Sequence, residues 1–489
     1  MITQNSIYRF YIQLKNKYGL DTRALSLMRI GIAIVLLVDL CLRATTLTEH
    51  YTNVGAFPFN LESAYWKQGY FSLFQFYDSY WFVVLIFCIT ALAYCLLLVG
   101  YKTQLATFLS WFLLTSLQNR NTLILQGGDD LLRMLLFWGF FLPWGNYFSV
   151  DSRKKLVLKT KQKTLSVASF GYIMLQFSLY FFTGVLKSGD EWGSEGTAIY
   201  YALSLDQMVL PLGKMLLPHL GLLKFLTVFV RWLEILAPFL LLILFKSKIF
   251  RTAFIVCIAL LHLSFSLTLY VGLFYLIGLV SLLGLLPTSF MNWFERKIQQ
   301  VFSRKTKQNK TSLYRELNNN YYFNTIQNSF LFFCIAVCII WNIGTINGSG
   351  IGLSNRFAHF IYTLRLDQSW GMFAPTVLKD DGWYIMEGTT TSNQKIDINR
   401  NGTPVDYTKP ANFLTYIKSD RERKYQENFM FSYNEFIRPY YCEYLLKDWN
   451  TKHLQIQITS LQIIYMKELS VLPNQKQTVT KEILCGCTK

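Results

Sequence analysis

Long apolar runs separated by short polar and basic stretches dominate the first 346 positions of the chain. A membrane-spanning helix needs about 20 mainly apolar residues. Nine runs come near that length, although several are short or carry a charge. The pattern predicts about nine transmembrane helices, at 24–42, 80–100, 104–118, 131–147, 165–186, 221–245, 252–270, 272–287 and 325–346.

The pattern changes after position 346. The stretches "KIDINRNGTPVDY" and "LQIQITSLQIIYM" alternate apolar and polar residues between turns rich in Asp, Gly, Asn and Pro. Such alternation is typical of strands, whereas 420–449 has a helical pattern. We therefore predict a membrane all-α bundle followed by a small extracytoplasmic α+β domain rich in β-strands. The predicted units are an N-terminal cytoplasmic segment, a transmembrane domain, a basic cytoplasmic linker, a last transmembrane helix and the C-terminal domain: 1–23, 24–290, 291–324, 325–346 and 347–489.

The distribution of charge predicts the orientation of these helices. The net charge is +18, and residues 1–346 carry +15 of it, between the apolar runs. With the N-terminus in the cytoplasm, the inner segments hold 21 Lys and Arg, and the outer loops before the C-terminal domain hold five. Cytoplasmic loops are enriched in these residues. We expect a multi-pass protein of the cell inner (cytoplasmic) membrane that binds the lipid bilayer and no nucleic acid.

The cysteines and histidines do not form a metal-binding pattern. Six of the nine cysteines lie in apolar runs, and Cys442, Cys485 and Cys487 lie in the C-terminal domain. If this domain faces an oxidising compartment, Cys442 can form a disulfide with either Cys485 or Cys487. None of the five histidines has a second histidine at the spacing that zinc sites use. No metal is predicted.

Polar residues inside the apolar runs are candidates for function. Arg231 and Glu234 are three residues apart in one predicted helix, which puts both on one face. They form a structural ion pair, or Glu234 neutralises a cation elsewhere. His262 lies in the middle of another run, where a lone histidine is usually a hydrogen-bonded packing residue.

The densest polar patch between two runs is "SLQNRNTLILQGGDDLLR", residues 116–133. It contains Asn119, Asn121, Asp129 and Asp130. A plain loop explains the glycines and asparagines, and a carboxylate in the first turn of a helix is a fair explanation of Asp129. Neither accounts for the whole set of charges that leads directly into an apolar helix.

Lys187 ends an apolar run in "YFFTGVLKSGDEW". One interpretation is a snorkelling lysine, whose stem covers apolar surface while its amine reaches water. The other is a desolvated amine, because burial disfavours the ammonium form and lets the nitrogen accept a proton near neutral pH. Trp192 and the nearby glycines would then form a lid over it.

These motifs together resemble a known family. "YFFTGVLKSGDEW" resembles the segment around the catalytic lysine of vitamin K-dependent gamma-glutamyl carboxylases. "RIGIAIVLLVDLCLR", "NRNTLILQGGDDLLRMLLFW", "RWLEILAPFLLL" and "HLSFSLTLYVGLF" resemble other blocks of the wider HTTM (horizontally transferred transmembrane) family, over about residues 20–290. "QSWGMFAP" and "DDGW" resemble the C-terminal region of its bacterial members.

The resemblance implies a chemistry. In the carboxylases a lysine, matched here by Lys187, deprotonates a reduced naphthoquinone of the vitamin K or menaquinol type. Oxygen addition then gives a base that removes a γ-proton from glutamate, carbon dioxide adds to the carbanion, and the quinone epoxide is the by-product. For a secreted peptide or protein substrate, the resemblance implies a pocket lined or supported by these residues: Asn119, Asn121, Asp129, Asp130, Trp192, Glu234 and His262.

Two departures from the family stand against this interpretation. Asn121 stands where the carboxylases carry a histidine, and the C-terminal domain is far shorter than in the animal enzymes. The alternative is a non-enzymatic membrane accessory protein for the maturation, export or immunity of a secreted peptide. A transporter is disfavoured, since matching halves with paired broken helices are not seen in the sequence.

Overall fold

The computed structural model describes residues 12–16, 18–59, 65–77, 79–154, 163–243, 247–301, 325–352, 354–417 and 419–489, which are mostly helical. Most of the predicted segment 1–23 and of the basic linker 291–324 lies outside the described residues. The helices and strands, apart from short 3₁₀ turns, are β1 (Leu20–Asp21), α1 (Thr22–Ala44), α2 (Leu47–Tyr51), α3 (Tyr80–Val99), α4 (Thr103–Arg120), α5 (Gly127–Phe141), α6 (Val150–Lys154), β2 (Lys163–Thr164), α7 (Val167–Leu186), α8 (Ala198–Leu203), α9 (Pro211–Leu216), α10 (Leu220–Leu236), α11 (Ser247–Thr268), α12 (Phe274–Leu282), α13 (Thr288–Val301), α14 (Thr325–Gly344), α15 (Asn355–Leu364), β3 (Trp383–Thr390), β4 (Lys395–Asp397), β5 (Thr403–Pro404), α16 (Asp420–Met430), α17 (Arg438–Lys452), β6 (Ile458–Glu468) and β7 (Val479–Thr488).

Each of the nine predicted transmembrane segments contains a helix. Among the described residues, α1, α3, α7, α11 and α14 are long and apolar enough to cross a membrane. A sixth span exists if α12 and α13, which meet at an angle of 100°, are counted together. The fold is therefore compatible with a multi-pass membrane protein. The number nine stays a prediction, because α5, α10 and α12 are shorter than a span and α4 ends in polar residues.

Helix α7 lies at the centre of the bundle, where α5, α10 and α14 pack against it. Its first turn is capped reciprocally by Ser166 and Ser169, each of which accepts a backbone N–H of the other. Close packing with α5 is made possible by Gly171, since a Cβ there would lie 2.3 Å from the ring of Trp138. Most of α7 is therefore buried and faces other helices.

The C-terminal region forms a five-stranded antiparallel sheet with the strand order β5-β4-β3-β6-β7. The central pair β3–β6 is in register at Ile385 and Ile464, both fully buried. Helix α17 packs on β6 and β7, and a disulfide joins Cys442 of this helix to Cys487 of β7. The predicted β-rich region is confirmed. Strand β7 was not among the predicted strands, because its residues are largely exposed and do not alternate clearly.

The C-terminal region contacts the bundle through a buried network of four charges. Arg43 of α1 donates to Asp39, at 2.7 Å, and to Asp129 of α5. Arg421 of α16 donates to the same two carboxylates and lies 3.0 Å from Asp129. Two arginines thus share two aspartates. Because one arginine comes from the C-terminal region, this network fixes α16 against α1 and α5.

Candidate functional site

The site is built where α7 and α10 come unusually close. A Cβ at Gly184 would lie 2.7 Å from the side chain of Ile235 and 3.1 Å from the carbonyl oxygen of Arg231. Only glycine allows this approach of the two backbones. Lys187, three residues later, follows the last helical residue of α7. The crossing therefore places its side chain next to Glu234 of α10.

Lys187 and Glu234 form a buried ion pair. Both residues are 2% exposed, and Lys187 Nζ donates to the Glu234 carboxylate. Two buried charges of opposite sign are much less costly than either charge alone. The amine does not reach bulk water as a snorkelling lysine would. The amine is therefore buried and paired, and its action as a neutral base stays a prediction.

The predicted ion pair between Arg231 and Glu234 is not the one that forms. Glu234 accepts from Lys187, and Arg231 Nε has no hydrogen-bond partner among the described residues. The Arg231 guanidinium instead extends towards Gly193, where a Cβ would lie 3.4 Å from its Nη1. The shared helix face was correctly inferred, but the contact from α7 decides which cation Glu234 binds.

Trp192 lies over the amine of Lys187. The centre of its ring is 4.6 Å from Lys187 Nζ, within the range of a cation–π interaction. Its Nε1 donates to the carbonyl oxygen of Phe373 at 2.8 Å, and Gly189 donates from its backbone to Pro375 at 3.0 Å. We call residues 369–379 the strap. The strap holds the 187–192 loop over the ion pair.

A second polar pair faces the same region from the bundle. A hydrogen bond of 2.9 Å joins the hydroxyl of Tyr180 to Nε2 of His262. Both side chains are almost completely buried, and Nδ1 of His262 has no hydrogen-bond partner in the part of the chain that the structure describes. The imidazole packs directly on Gly278, where a Cβ would lie 2.1 Å from its Cε1. His262 is thus a packing residue that leaves one polar atom unsatisfied.

These groups line a cavity of about 800 Å³. Small-molecule sites usually enclose roughly 300–1,000 Å³. One end is polar and lies under the strap and α16. The wall of the other end is mainly apolar and contains the two polar pairs, with Leu205, Met208, Leu261, Phe265 and Phe274 around them.

The cavity brings together part of the predicted pocket. Lys187, Glu234 and His262 line it, and Trp192 covers Lys187. Asp130 lines its polar end, where its carboxylate accepts from Arg133 at 2.8 Å and from the backbone of Ser369 at 2.9 Å.

Three predicted pocket residues lie elsewhere. Asp129 belongs to the buried network that joins α16 to the bundle. Asn119 donates to the carbonyl oxygen of Phe71 at 2.8 Å. Asn121 accepts from the backbone of Leu123 and so caps a short 3₁₀ turn. These three residues fix the shape of the chain between α4 and α5 and do not line the cavity.

Two features of the cavity were missed by the sequence analysis. Tyr180 is seven residues before Lys187 and therefore two turns below it on the same face of α7, a spacing that identifies it as a neighbour. The strap crosses the cavity although about 180 positions separate it from Lys187. A local pattern contains no signal for that contact.

The lining of the cavity suits a flat apolar ligand with polar atoms at its edge. The apolar wall suits a flat hydrocarbon ring, and the ion pair and the free Nδ1 of His262 are available to oxygen atoms at its edge. Among the described residues, no group of three or more His, Cys, Asp or Glu is arranged to hold a metal ion.

Comparison of the chain with protein-family models, with curated proteins and with solved structures finds no match. The function is therefore argued from the geometry of the cavity.

Proposed function

We propose that this chain is a membrane enzyme that resembles the vitamin K-dependent carboxylases. In this proposal it couples the oxidation of a reduced naphthoquinone to the carboxylation or oxygenation of a glutamyl or other substrate, with Lys187 as the initiating base. One observation carries the proposal. It is the buried Lys187–Glu234 pair in the wall of a mainly apolar cavity of about 800 Å³.

The residues of the chain would act as follows. The Lys187 ammonium first passes one proton to the Glu234 carboxylate, and the neutral Nζ then accepts the proton that an acidic hydroxyl in the cavity gives up. Trp192 and the strap exclude water above the nitrogen. His262 Nδ1 binds and orients a polar atom of the ligand. The chemistry that a reduced naphthoquinone supplies when bound is a two-electron oxidation by oxygen, which drives proton removal from a carbon acid.

The proposal includes an orientation in the membrane. The disulfide between Cys442 and Cys487 requires an oxidising compartment. The surplus of Lys and Arg on the predicted inner segments favours a cytoplasmic N-terminus. Both support a C-terminal domain outside the cytoplasm, at the same end of the bundle as Lys187. A secreted peptide or protein would reach the cavity from that side.

The test is an assay of the purified full-length chain in nanodiscs. The protein is incubated with reduced menaquinone, oxygen, labelled carbon dioxide and a glutamyl peptide, and quinone epoxide and peptide label are both measured. We expect product with the wild type and at least a 100-fold loss with Lys187→Met. Lys447→Met is the matched control, because Lys447 is 73% exposed and lies on α17 away from the cavity.

The outcomes separate the alternatives. Epoxide without labelled peptide identifies an oxygenase-like reaction at the same site. Neither product, under conditions in which a known carboxylase is active, rejects the proposal and favours the non-enzymatic accessory protein.

A further inference from the structure

Two cations on helix α10 have no partner within the described part of the chain. Lys224 and Arg231 form neither a hydrogen bond nor an ion pair there, although Nε of Arg231 is buried. They are seven residues apart, which is two turns and about 10 Å along a helix, so both lie on one face of α10. By contrast, Lys214 of the preceding helix α9 pairs with Asp206 at 2.9 Å.

The guanidinium of Arg231 lies just beyond the end of the apolar part of the bundle. The backbone of Arg231 is level with Gly184 in the last turn of α7, where a Cβ would lie 3.1 Å from the Arg231 carbonyl oxygen. The candidate membrane span of α7 ends at Leu186. Nη1 of Arg231 lies near Gly193 in the loop that follows, as described above. Arginine and lysine side chains near the end of a span reach towards the lipid head groups at this depth.

Residues 193–196 form a short loop that contacts α10 beside both cations. Gly193 lies next to Arg231, and a Cβ at Gly196 would lie 3.3 Å from the carbonyl oxygen of Lys224. Glu195, the acid of this loop, accepts from the Thr197 hydroxyl at 3.0 Å and forms no ion pair with either cation among the described residues. We call Lys224, Arg231 and residues 193–196 the cationic site. It carries two positive charges that no carboxylate of the described chain neutralises.

The surface of α10 next to the cationic site is apolar. Phe225, Phe229 and Trp232 are each at least half exposed, and their spacing of four and three keeps them on one face. Val228, also exposed, lies between this face and the two cations on the helix surface. The rings of Phe225 and Phe229 stack with their centres 6.0 Å apart. Exposed apolar rings beside an unpaired cation match the two parts of a lipid, the acyl chains and the head group.

We propose that the cationic site binds the phosphate of an anionic glycerophospholipid, whose acyl chains lie along Phe225, Phe229 and Trp232. The planar guanidinium of Arg231 can donate two parallel N–H bonds to phosphate oxygens, and the ammonium of Lys224 adds a second positive charge. A cation without a counter-charge is costly next to apolar surface, and a lipid phosphate supplies the counter-charge that the described chain lacks. Two cations favour an anionic lipid over a zwitterionic one.

Binding at this site also affects the loop over Lys187. Gly193 directly follows Trp192, whose ring covers the Lys187 amine. A phosphate held by Arg231 would therefore lie against the loop that carries Trp192 and would restrict its motion. The inference goes beyond the proposed function, since it requires neither a quinone nor turnover.

The test measures lipid binding to the delipidated full-length protein in detergent by native mass spectrometry. Phosphatidylglycerol, phosphatidylcholine and inorganic phosphate are titrated separately. We expect phosphatidylglycerol to bind roughly 10-fold more tightly than phosphatidylcholine, and Arg231→Gln to weaken its binding roughly 10-fold. Lys224→Gln should weaken it to a smaller extent. Lys214→Gln is the matched control, because it removes the same charge from a lysine that is already paired, and it should leave the affinity unchanged.

Hydrogen exchange of residues 188–196 locates the bound lipid. Phosphatidylglycerol should slow the exchange of this segment in the wild type and in Lys214→Gln, and this effect should be lost in Arg231→Gln.

Equal affinity of the wild type and Arg231→Gln for phosphatidylglycerol overturns the proposal, and so does equal affinity for the anionic and the zwitterionic lipid. Inorganic phosphate that binds as tightly as phosphatidylglycerol would identify a site for free phosphate and reject the lipid. If Arg231→Gln does not elute as a folded protein, the comparison of Lys224→Gln with Lys214→Gln decides, and equal affinities of these two variants reject the site. None of these results depends on quinone turnover, so a failure of the proposed function is distinguishable.

Discussion

At the scale of single residues, the burial of Lys187 and Glu234 is possible because each is the other's counter-charge. Removing one partner leaves an uncompensated buried charge, which typically costs about 3–5 kcal/mol, whereas replacing both by apolar groups is often neutral. We therefore expect Lys187→Met and Glu234→Leu each to lower the free energy of unfolding by about that much. The double variant should recover most of the loss.

Thermal unfolding of the four proteins in one detergent checks this expectation. Single and double substitutions of Lys452 and Asp448, an ion pair at the surface, are the matched control. Each should change the free energy of unfolding by less than about 1 kcal/mol. Additive losses in the Lys187 and Glu234 double variant would show that the two side chains do not interact.

Another residue-scale prediction concerns pH. Burial raises the pKa of Asp381 from 3.8 to about 6, although Lys409, 2.7 Å away, opposes the shift. The folded state thus holds this proton more tightly than the unfolded chain. Its stabilisation is fully present below pH 3.8 and is lost as the pH rises through about 6. The non-titrating variant Asp381→Asn should therefore gain stability relative to the wild type as the pH rises over this window.

Unfolding followed from about pH 3.5 to 7 measures that difference. Asp406 is the control of opposite sign, because a hydrogen bond from the backbone of Thr408 lowers the pKa of its exposed carboxyl. Asp406→Asn should lose a little relative stability as the pH rises. If the difference in the free energy of unfolding between Asp381→Asn and the wild type does not change with pH, the raised pKa of Asp381 is contradicted.

The candidate residues show what a sequence can and cannot reveal at this scale. The positions of Lys187, Trp192 and His262 were inferred from their charge or ring type next to apolar runs, which is local information. The partner of Glu234 could not be inferred in this way. Helix periodicity places Arg231 near Glu234 but gives no information about contacts with α7. The contact with Lys187 depends on a tertiary approach.

At the scale of helices and strands, that approach depends on Gly184. A Cβ there would meet the backbone of α10 at Ile235 N, 3.0 Å away, so Gly184→Ala must push α7 and α10 apart. We expect a loss of about 1–3 kcal/mol in the free energy of unfolding. Gly221→Ala on α10 is the control, since a Cβ there meets nothing within 4 Å. It should be neutral or slightly stabilising, because alanine favours helix over glycine.

Equal effects of these two alanines would contradict the role of Gly184. The pair of variants can be compared by thermal unfolding in the same detergent, and a loss of quinone turnover in Gly184→Ala alone would connect the helix crossing to the site.

The helices and strands themselves differ in how far they could be predicted. Apolar runs of near-membrane length mark the helices, and alternation marks β3 and β6. Strand β7 was not predicted, because it lacks a clear alternation of apolar and polar residues. Cys485 and Cys487 on one face pack towards α17, and most of its other residues face solvent. Helix α15 was missed as well. It is short, and the rings of Phe357 and Phe360 on it pack against Phe333 of α14.

At the scale of the whole molecule, the C-terminal region forms part of the site. The strap and α16 line the cavity, and Arg421 joins α16 to α1 and α5. In Arg421→Met, the carboxylates of Asp39 and Asp129 keep Arg43 as their partner and lose the second positive charge of the network. We expect a loss of about 3–5 kcal/mol and separate unfolding of the C-terminal region. Limited proteolysis during a thermal ramp measures both.

Arg400 is the control for this change, since it pairs with Asp406 in the C-terminal region alone. Arg400→Met should preserve a single cooperative transition. If Arg421→Met also unfolds in one step at the wild-type temperature, the network does not couple the two regions.

The central claim is that Lys187 acts as a base in the cavity, and quinone epoxide formation by Lys187→Met tests it most directly. The measurement compares this variant with the wild type and Lys447→Met, in nanodiscs, at equal amounts of folded protein. The account predicts epoxide from the wild type and from Lys447→Met, and at least a 100-fold loss from Lys187→Met. Epoxide formation at the wild-type rate by Lys187→Met would contradict it.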